Sequence, residues 1–200
     1  MSQKKSTIHP LTQMIRRAVS IFDAMGFEVV TSDHIETEEN NFDHLNIPHD
    51  HPARDMHDTL WIKDMPHRLL RTHNSAHQVP YMRQNKDRLE KGETLKMISP
   101  GLVYRNEATD ATHEVQFTYM EGLVVGKNIT LGHLKGTLEH FLKDMFGADV
   151  EMRLRPGYFP FVEPGVEVDL QFRGEWLELL GAGMIHPIVL ENAGIDAKKY

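Results

Sequence analysis

Cysteine is absent from the 200 residues, so the chain forms no disulfide and no thiolate metal centre, and the lack fits a reducing compartment such as the cytoplasm. Long apolar runs are absent too. None approaches the roughly 20 residues of a membrane helix, so no membrane association is expected. The opening residues, MSQKKSTIHP, contain no apolar stretch of the signal-peptide kind, so secretion is not expected. Basic excess is also missing: 22 Lys and Arg against 29 Asp and Glu leave a formal charge of -7. That balance excludes a protein that coats nucleic acid generally; any such contact must be local or supplied by another domain or subunit. Internal repeats and low-complexity segments are absent. What remains, 40% hydrophobic and 26% charged residues, describes an ordinary globular chain long enough for a sizeable core in one domain spanning 1–200.

The periodicity alternates between helix and strand. Leu11, Met14, Ile15, Ala18, Val19, Ile21, Phe22 and Met25 recur at helical spacing between Pro10 and a Gly26 stop. Phe27–Thr31 then reads as a strand. Glu36–Met56 is polar and irregular, and Asp58–Ile62 and Arg68–Thr72 read as an antiparallel pair around a short turn. Thr72-His73-Asn74-Ser75 opens a helix with good capping residues, Ser75 among them. Gln78–Leu95 reads as helix and connector with Gly92 as a stop. Ile129–Phe146 is helical up to Gly147. Val150–Leu154, Val166–Leu170 and Glu175–Leu180 read as strands, followed by a short helical stretch after Pro187. The predicted fold is α+β, a mainly antiparallel sheet with helices packed against it.

The stretch richest in chemistry is 100–124, PGLVYRNEATDATHEVQFTYMEGLV. Val103-Tyr104-Arg105 ends one strand, Asn106–Glu114 is a polar loop, and Phe117–Glu121 alternates as a returning strand. The hairpin therefore carries Arg105 and Glu121, opposite charges on one face. Two readings fit: a surface ion pair, or a face that holds an anionic and a cationic group of one ligand. Further on, Phe159 and Phe161 in the stiff, proline-rich run Arg155–Gly165 point the same way on an extended chain. They are either plain core or a slot for a third aromatic ring.

Arg105, the loop Asp110-Ala111-Thr112-His113 and the return through Phe117 to Glu121-Gly122-Leu123 resemble motif 2 of class II aminoacyl-tRNA synthetases, in the form found in phenylalanyl-tRNA synthetase alpha subunits. Matching pieces run from His9-Pro10-Leu11-Thr12 to Gly194-Ile195-Asp196, nearly the whole chain. The resemblance implies ATP-dependent activation of phenylalanine and its ligation to tRNA(Phe). It assigns ATP binding to Arg105, Glu107, His113 and Phe117, with Arg105 also catalytic. Amino-acid binding falls to His73, Ser75, Gln78, Tyr119, Glu121, Phe159, Phe161 and Val162. Glu163, in Phe-Val-Glu-Pro, is the implied Mg2+ ligand, with Glu167 and Glu178 as weaker candidates. The implied partners are tRNA(Phe) and a synthetase beta subunit, in a heterotetramer of two alpha and two beta chains.

The chain departs from the family pattern at several points. Tyr119 stands where phenylalanine enzymes usually have glutamine, and Asp33 stands where motif 1, the dimer-forming helix and strand, usually has proline. The family continues past Asp196-Ala197-Lys198-Lys199-Tyr200 into motif 3, so the expectation is a core cut short there, with little aminoacylation on its own. An alternative is a synthetase-like paralogue that binds an amino acid or nucleotide without charging tRNA. A third is a metal protein built on His44, His49, His51 and His57.

Overall fold

The computed structural model describes residues 8–55, 58–106 and 114–200. The first helix, α1 (Pro10–Ala24), starts where Pro10 fixes its own φ and His9 Nδ1 accepts the Leu11 N–H at 3.3 Å. It ends where Gly26 takes a φ of +81°, open to glycine at little cost. Its buried stripe, Ala18 and Phe22, meets the long helix α5 (Leu131–Phe146), with Phe22 stacked on Phe141 at 4.6 Å. Burying one such ring is worth about 1.5–3 kcal/mol.

Between those helices lie β1 (Glu28–Val29), β2 (Ile35–Thr37), α2 (Glu38–Asn41), β3 (Arg68–Leu70), α3 (Gln78–Gln84), α4 (Lys86–Glu90), β4 (Leu95–Tyr104) and β5 (Gln116–Val125). After α5 come β6 (Met152–Phe159), β7 (Val162–Phe172), β8 (Glu175–Ile185) and α6 (Pro187–Asn192). The ladders form three sheets, β1-β4-β5, β2-β3 and β6-β7-β8. Every pairing is antiparallel except β1 with β4. The largest core joins Phe42, Leu45, Leu69, Met82, Met97 and Val189, and a second packs α5 on β7 through Leu138, Leu142, Val168 and Leu170. The α+β architecture read from the sequence is therefore present.

Two stretches differ from the sequence reading. Asp58–Ile62 is not a strand: only Trp61 bridges to Leu69. Thr59 instead turns back, its hydroxyl donating to the Ala53 carbonyl at 2.6 Å and its N–H to Asp55 at 2.9 Å. The main partner of Arg68–Leu70 is β2, in register from Ile35 opposite Leu70 to Thr37 opposite Arg68. Secondly, the described part of Glu36–Met56, up to Asp55, is more ordered than its polarity indicates, holding the end of β2, α2 and two 3₁₀ turns, Asp43–Leu45 and Pro52–Arg54. Buried Arg54 organises it, bonding Asp43 at 2.6 Å, Glu38 at 3.2 Å and the Ile47 carbonyl.

Candidate functional site

The β4–β5 ladder sets Ser99 opposite Glu121 and Gly101 opposite Tyr119. Alternate strand residues share a face, so Phe117, Tyr119 and Glu121 project to one side of β5. The 3₁₀ turn Asn74–His77 is bonded onto these strands. Asn74 Nδ2 donates to the carbonyls of Ser99 at 2.9 Å and Tyr119 at 2.8 Å, bridging both strands from a fully buried position. Ser75 then donates its hydroxyl to Glu121 Oε2 at 2.7 Å, and Gln78 Nε2 donates to Glu121 Oε1 at 2.8 Å. Ser75 makes no cap here; its hydroxyl is committed to the carboxylate. His77 anchors the turn from below, with Nδ1 2.9 Å from Ser99 Oγ and Nε2 against Ser32 and Arg71.

Above this frame lies a cavity of about 390 Å³. His73, Ser75, Arg105, Tyr119 and Glu121 line it, as do Phe159, Phe161 and Val162. Sequence reasoning thus named eight of its lining residues. It missed Thr72, Tyr158, Pro160, Gly181 and Ala182, and a whole wall from Phe42, Ile47, His51 and Ala53. The irregular polarity of 36–56 concealed that wall.

The electrostatics are unusual for so small a volume. Part of Glu121 opens onto the cavity, yet protein surrounds its carboxyl closely enough that burial pushes its pKa above the ordinary 4.5, against the pull of Ser75 and Gln78. His73 is held at about 4, by burial first and then by the nearby Arg105 charge, so it is neutral at pH 7. Its two ring nitrogens are buried without a hydrogen-bond partner; the Asn41 backbone lies near, at a geometry short of a bond. Burial also raises the Tyr119 hydroxyl. Arg105 leans on the protein through Nε to the Thr72 carbonyl at 3.4 Å and places its guanidinium 5.2 Å from the Phe117 ring centre.

The aromatic end is built by a tight hairpin. Asn46 Nδ2 donates to the Pro160 carbonyl at 2.7 Å and the His186 N–H to the Phe161 carbonyl at 2.9 Å, which fixes the tip between β6 and β7. The rings of Phe159 and Phe161 stack on each other, centres 5.9 Å apart and planes 27° apart. A third ring has no room between them, which takes about 7 Å of separation, and has to meet them at an edge or offset from the cavity side.

Other sequence candidates lie elsewhere. Phe117 is not among the lining residues, its ring facing Arg105. Gln78 reaches the site through Glu121. Glu163 is exposed, one residue beyond the lining Val162. Glu167 binds Arg155 at 2.7 Å, and Glu178 binds the same guanidinium at 3.3 Å. Glu107 and His113 lie outside the described residues, as does His57. His44 bonds Asn40 at 3.0 Å and Glu39 at 3.1 Å. Among the described residues no three His, Cys, Asp or Glu side chains cluster as a metal site. No described helix is long and apolar enough to cross a membrane.

The family model described as "tRNA synthetases class II core domain (F)" matches residues 1–200. The phenylalanine–tRNA ligase alpha subunit of Bacillus mycoides (strain KBAB4) is 49% identical over 204 residues, covering 96% of this chain and 58% of that protein. The alpha subunit of Dehalococcoides mccartyi (strain CBDB1) is 48% identical over 211 residues, covering 96% and 59%. The chain thus spans about three-fifths of the length of these relatives. With a match along its whole length and nearly half of its aligned residues identical to these relatives, this chain belongs to the class II tRNA synthetase core domain family of the F type.

Proposed function

We propose that this chain is the amino-acid-activating core of a phenylalanine–tRNA ligase, working in the whole protein with ATP, phenylalanine, tRNA(Phe) and a beta subunit. One observation carries the reading: a cationic side chain, a buried carboxylate and a stacked aromatic pair border the same cavity. A phenylalanine zwitterion has the complementary parts.

Activation joins two anions, the amino-acid carboxylate and the α-phosphate of ATP, so the protein's work is to supply positive charge and a fixed approach. Arg105 stays charged and its planar fork spans carboxylate and phosphate oxygens. Removing such a contact costs about 3–4 kcal/mol of transition-state stabilisation, by analogy with oxyanion donors. Glu121 holds the substrate ammonium, its orientation fixed by Ser75 and Gln78. His73, being neutral, offers a hydrogen bond without repelling that ammonium. Phe159, Phe161 and Val162 receive the benzyl group, and Tyr119 narrows the wall between the two ends. Phe117 with Arg105, together with Glu107 and His113, would meet the nucleotide. Magnesium would arrive on the ATP phosphates, for which Glu163 is the proposed carboxylate ligand; such ions keep most of their waters and need few protein ligands.

Isothermal titration of the 200-residue chain with phenylalanine, ATP and a non-hydrolysable phenylalanyl-adenylate analogue tests the reading. The analogue should bind tightest because it fills both ends of the cavity. Equal affinity for the analogue and for leucine would defeat it.

A further inference from the structure

Three His-Pro pairs occur in the described chain, and all three do the same local job. His9, His51 and His186 each precede a helical turn that begins with proline, and each Nδ1 accepts the backbone N–H two residues on, at 3.3, 3.2 and 3.2 Å. Capping therefore accounts for a histidine at each place. It also fixes the tautomer: a nitrogen that accepts an N–H carries no proton itself, so in each ring the proton sits on Nε2.

The three then part company. His9 caps α1 and His186 caps α6, and neither lines the cavity, whereas His51 does, half-buried on the wall made by residues 42–53. The other side chains of that wall, Phe42, Ile47 and Ala53, are apolar, so His51 is its sole polar group. No described residue takes its Nε2 proton. We propose that His51 is a ligand-contacting residue: its Nε2–H donates to an anionic oxygen of the bound reactants, a carboxylate or a phosphate. The cap holds the donor in one tautomer and one orientation before anything binds, so little freedom is lost on contact. This inference rests on the function proposed above and adds a contact on the wall made by residues 42–53.

The experiment separates cap from contact. His51→Asn keeps an acceptor where Nδ1 stands and so keeps the cap, but has no distal N–H. Wild type, His51→Asn and His186→Asn are titrated with phenylalanine and with ATP separately. The expected result is a loss of about tenfold or more in one arm for His51→Asn, the scale of one hydrogen bond to a charged group, with unchanged binding by His186→Asn. Loss in the phenylalanine arm identifies the carboxylate as the acceptor, and loss in the ATP arm the phosphate. Wild-type affinity retained by His51→Asn in both arms overturns the inference and leaves the proposed function standing. Failure of wild type to bind either ligand overturns both. Should His51→Asn not fold, ¹⁵N spectra of the wild-type imidazoles decide: Nε2 of His51 must be the protonated nitrogen and must shift on ligand addition, and a resonance that stays put overturns the proposal.

Discussion

The Ser75 hydroxyl lies 2.7 Å from Glu121 Oε2, across 46 residues of sequence. This bond joins the start of one helical segment to the middle of strand β5, and it holds a carboxylate where a cation could be received. Its energetic character follows from burial. Glu121 titrates above the ordinary value of 4.5 because the surroundings disfavour its charge, so the folded protein binds that proton more tightly than the unfolded chain does.

The sign of the consequence is fixed by linkage. With the folded pKa above the unfolded one, the native state binds more protons between the two values, and stability falls as pH rises through that window. Glu121→Gln has no such group, so the wild-type stability relative to this variant should decline with rising pH from 4.5 upward. Phenylalanine binding should move the other way, weakened about tenfold or more in the variant at pH 7.5, since a charge-assisted contact worth about 1.5–3 kcal/mol is removed. Denaturant melts at several pH values with calorimetry on both proteins test the pair. Undiminished phenylalanine affinity in Glu121→Gln would remove the carboxylate from the proposed role.

His73 makes a prediction of the opposite slope. Burial and the Arg105 charge bring its folded pKa from 6.5 to about 4, so the unfolded chain binds the extra proton between those values. Stability should therefore drop as pH falls from 6.5 towards 4, by as much as about 3 kcal/mol from this one ring. His73→Gln should be close to wild type in pH sensitivity above 7 and markedly less sensitive below 6.5. Parallel pH–stability curves for the two proteins in that range would show that the ring is not held neutral.

Much of this was legible beforehand, and the exceptions share a cause. Helix α1 and helix α5 carry long apolar stripes bounded by Pro10, Gly26 and Gly147, and the alternation of Phe117–Glu121 marks β5; these are local signals. What stayed hidden depends on partners far along the chain. Ile35–Thr37 becomes a strand because Arg68–Leu70 lies beside it, and Thr59 leaves its expected strand for a carbonyl at Ala53. The cavity wall from Phe42 to Ala53 is another such case: four side chains with no common periodicity, drawn together by buried Arg54 and its two acidic partners. Pattern reading finds faces of single elements; it does not find surfaces assembled by a buried ion network.

A buried carboxylate on β7, outside the cavity lining, offers a further test. Asp169 accepts from Arg155 Nε and Nη2, at 2.7 and 2.9 Å, and from Arg153 Nε at 2.8 Å. Hydrogen bonds from Arg155, then Arg153, bring its pKa down to about 2. A depressed folded pKa means the stabilisation is complete above the ordinary 3.8 and is lost as pH falls towards 2. Asp169→Asn should therefore be less stable than wild type at pH 7, with the gap narrowing below pH 3.8. A gap that stays constant down to pH 2 would assign the effect to packing instead of charge.

Gly181 supplies the sharpest steric test. It sits on β8 beneath the aromatic hairpin, where a Cβ would stand 2.7 Å from Phe159 Cζ and 3.1 Å from Cε2. Real contacts do not close to that distance, so Gly181→Ala must displace the ring, and Phe159 is already stacked on Phe161. The displaced ring would swing into the cavity or lift the hairpin tip off its bonds to Asn46 and His186. Overpacking of this kind costs about 1–3 kcal/mol. Phenylalanine affinity should fall about tenfold or more, and ATP affinity should stay nearly constant, because the nucleotide is proposed to lie towards Arg105. Gly122→Ala provides the control, since a Cβ there meets nothing within 4 Å. If Gly181→Ala binds phenylalanine as wild type does, the Phe159 ring is not a wall of the amino-acid site.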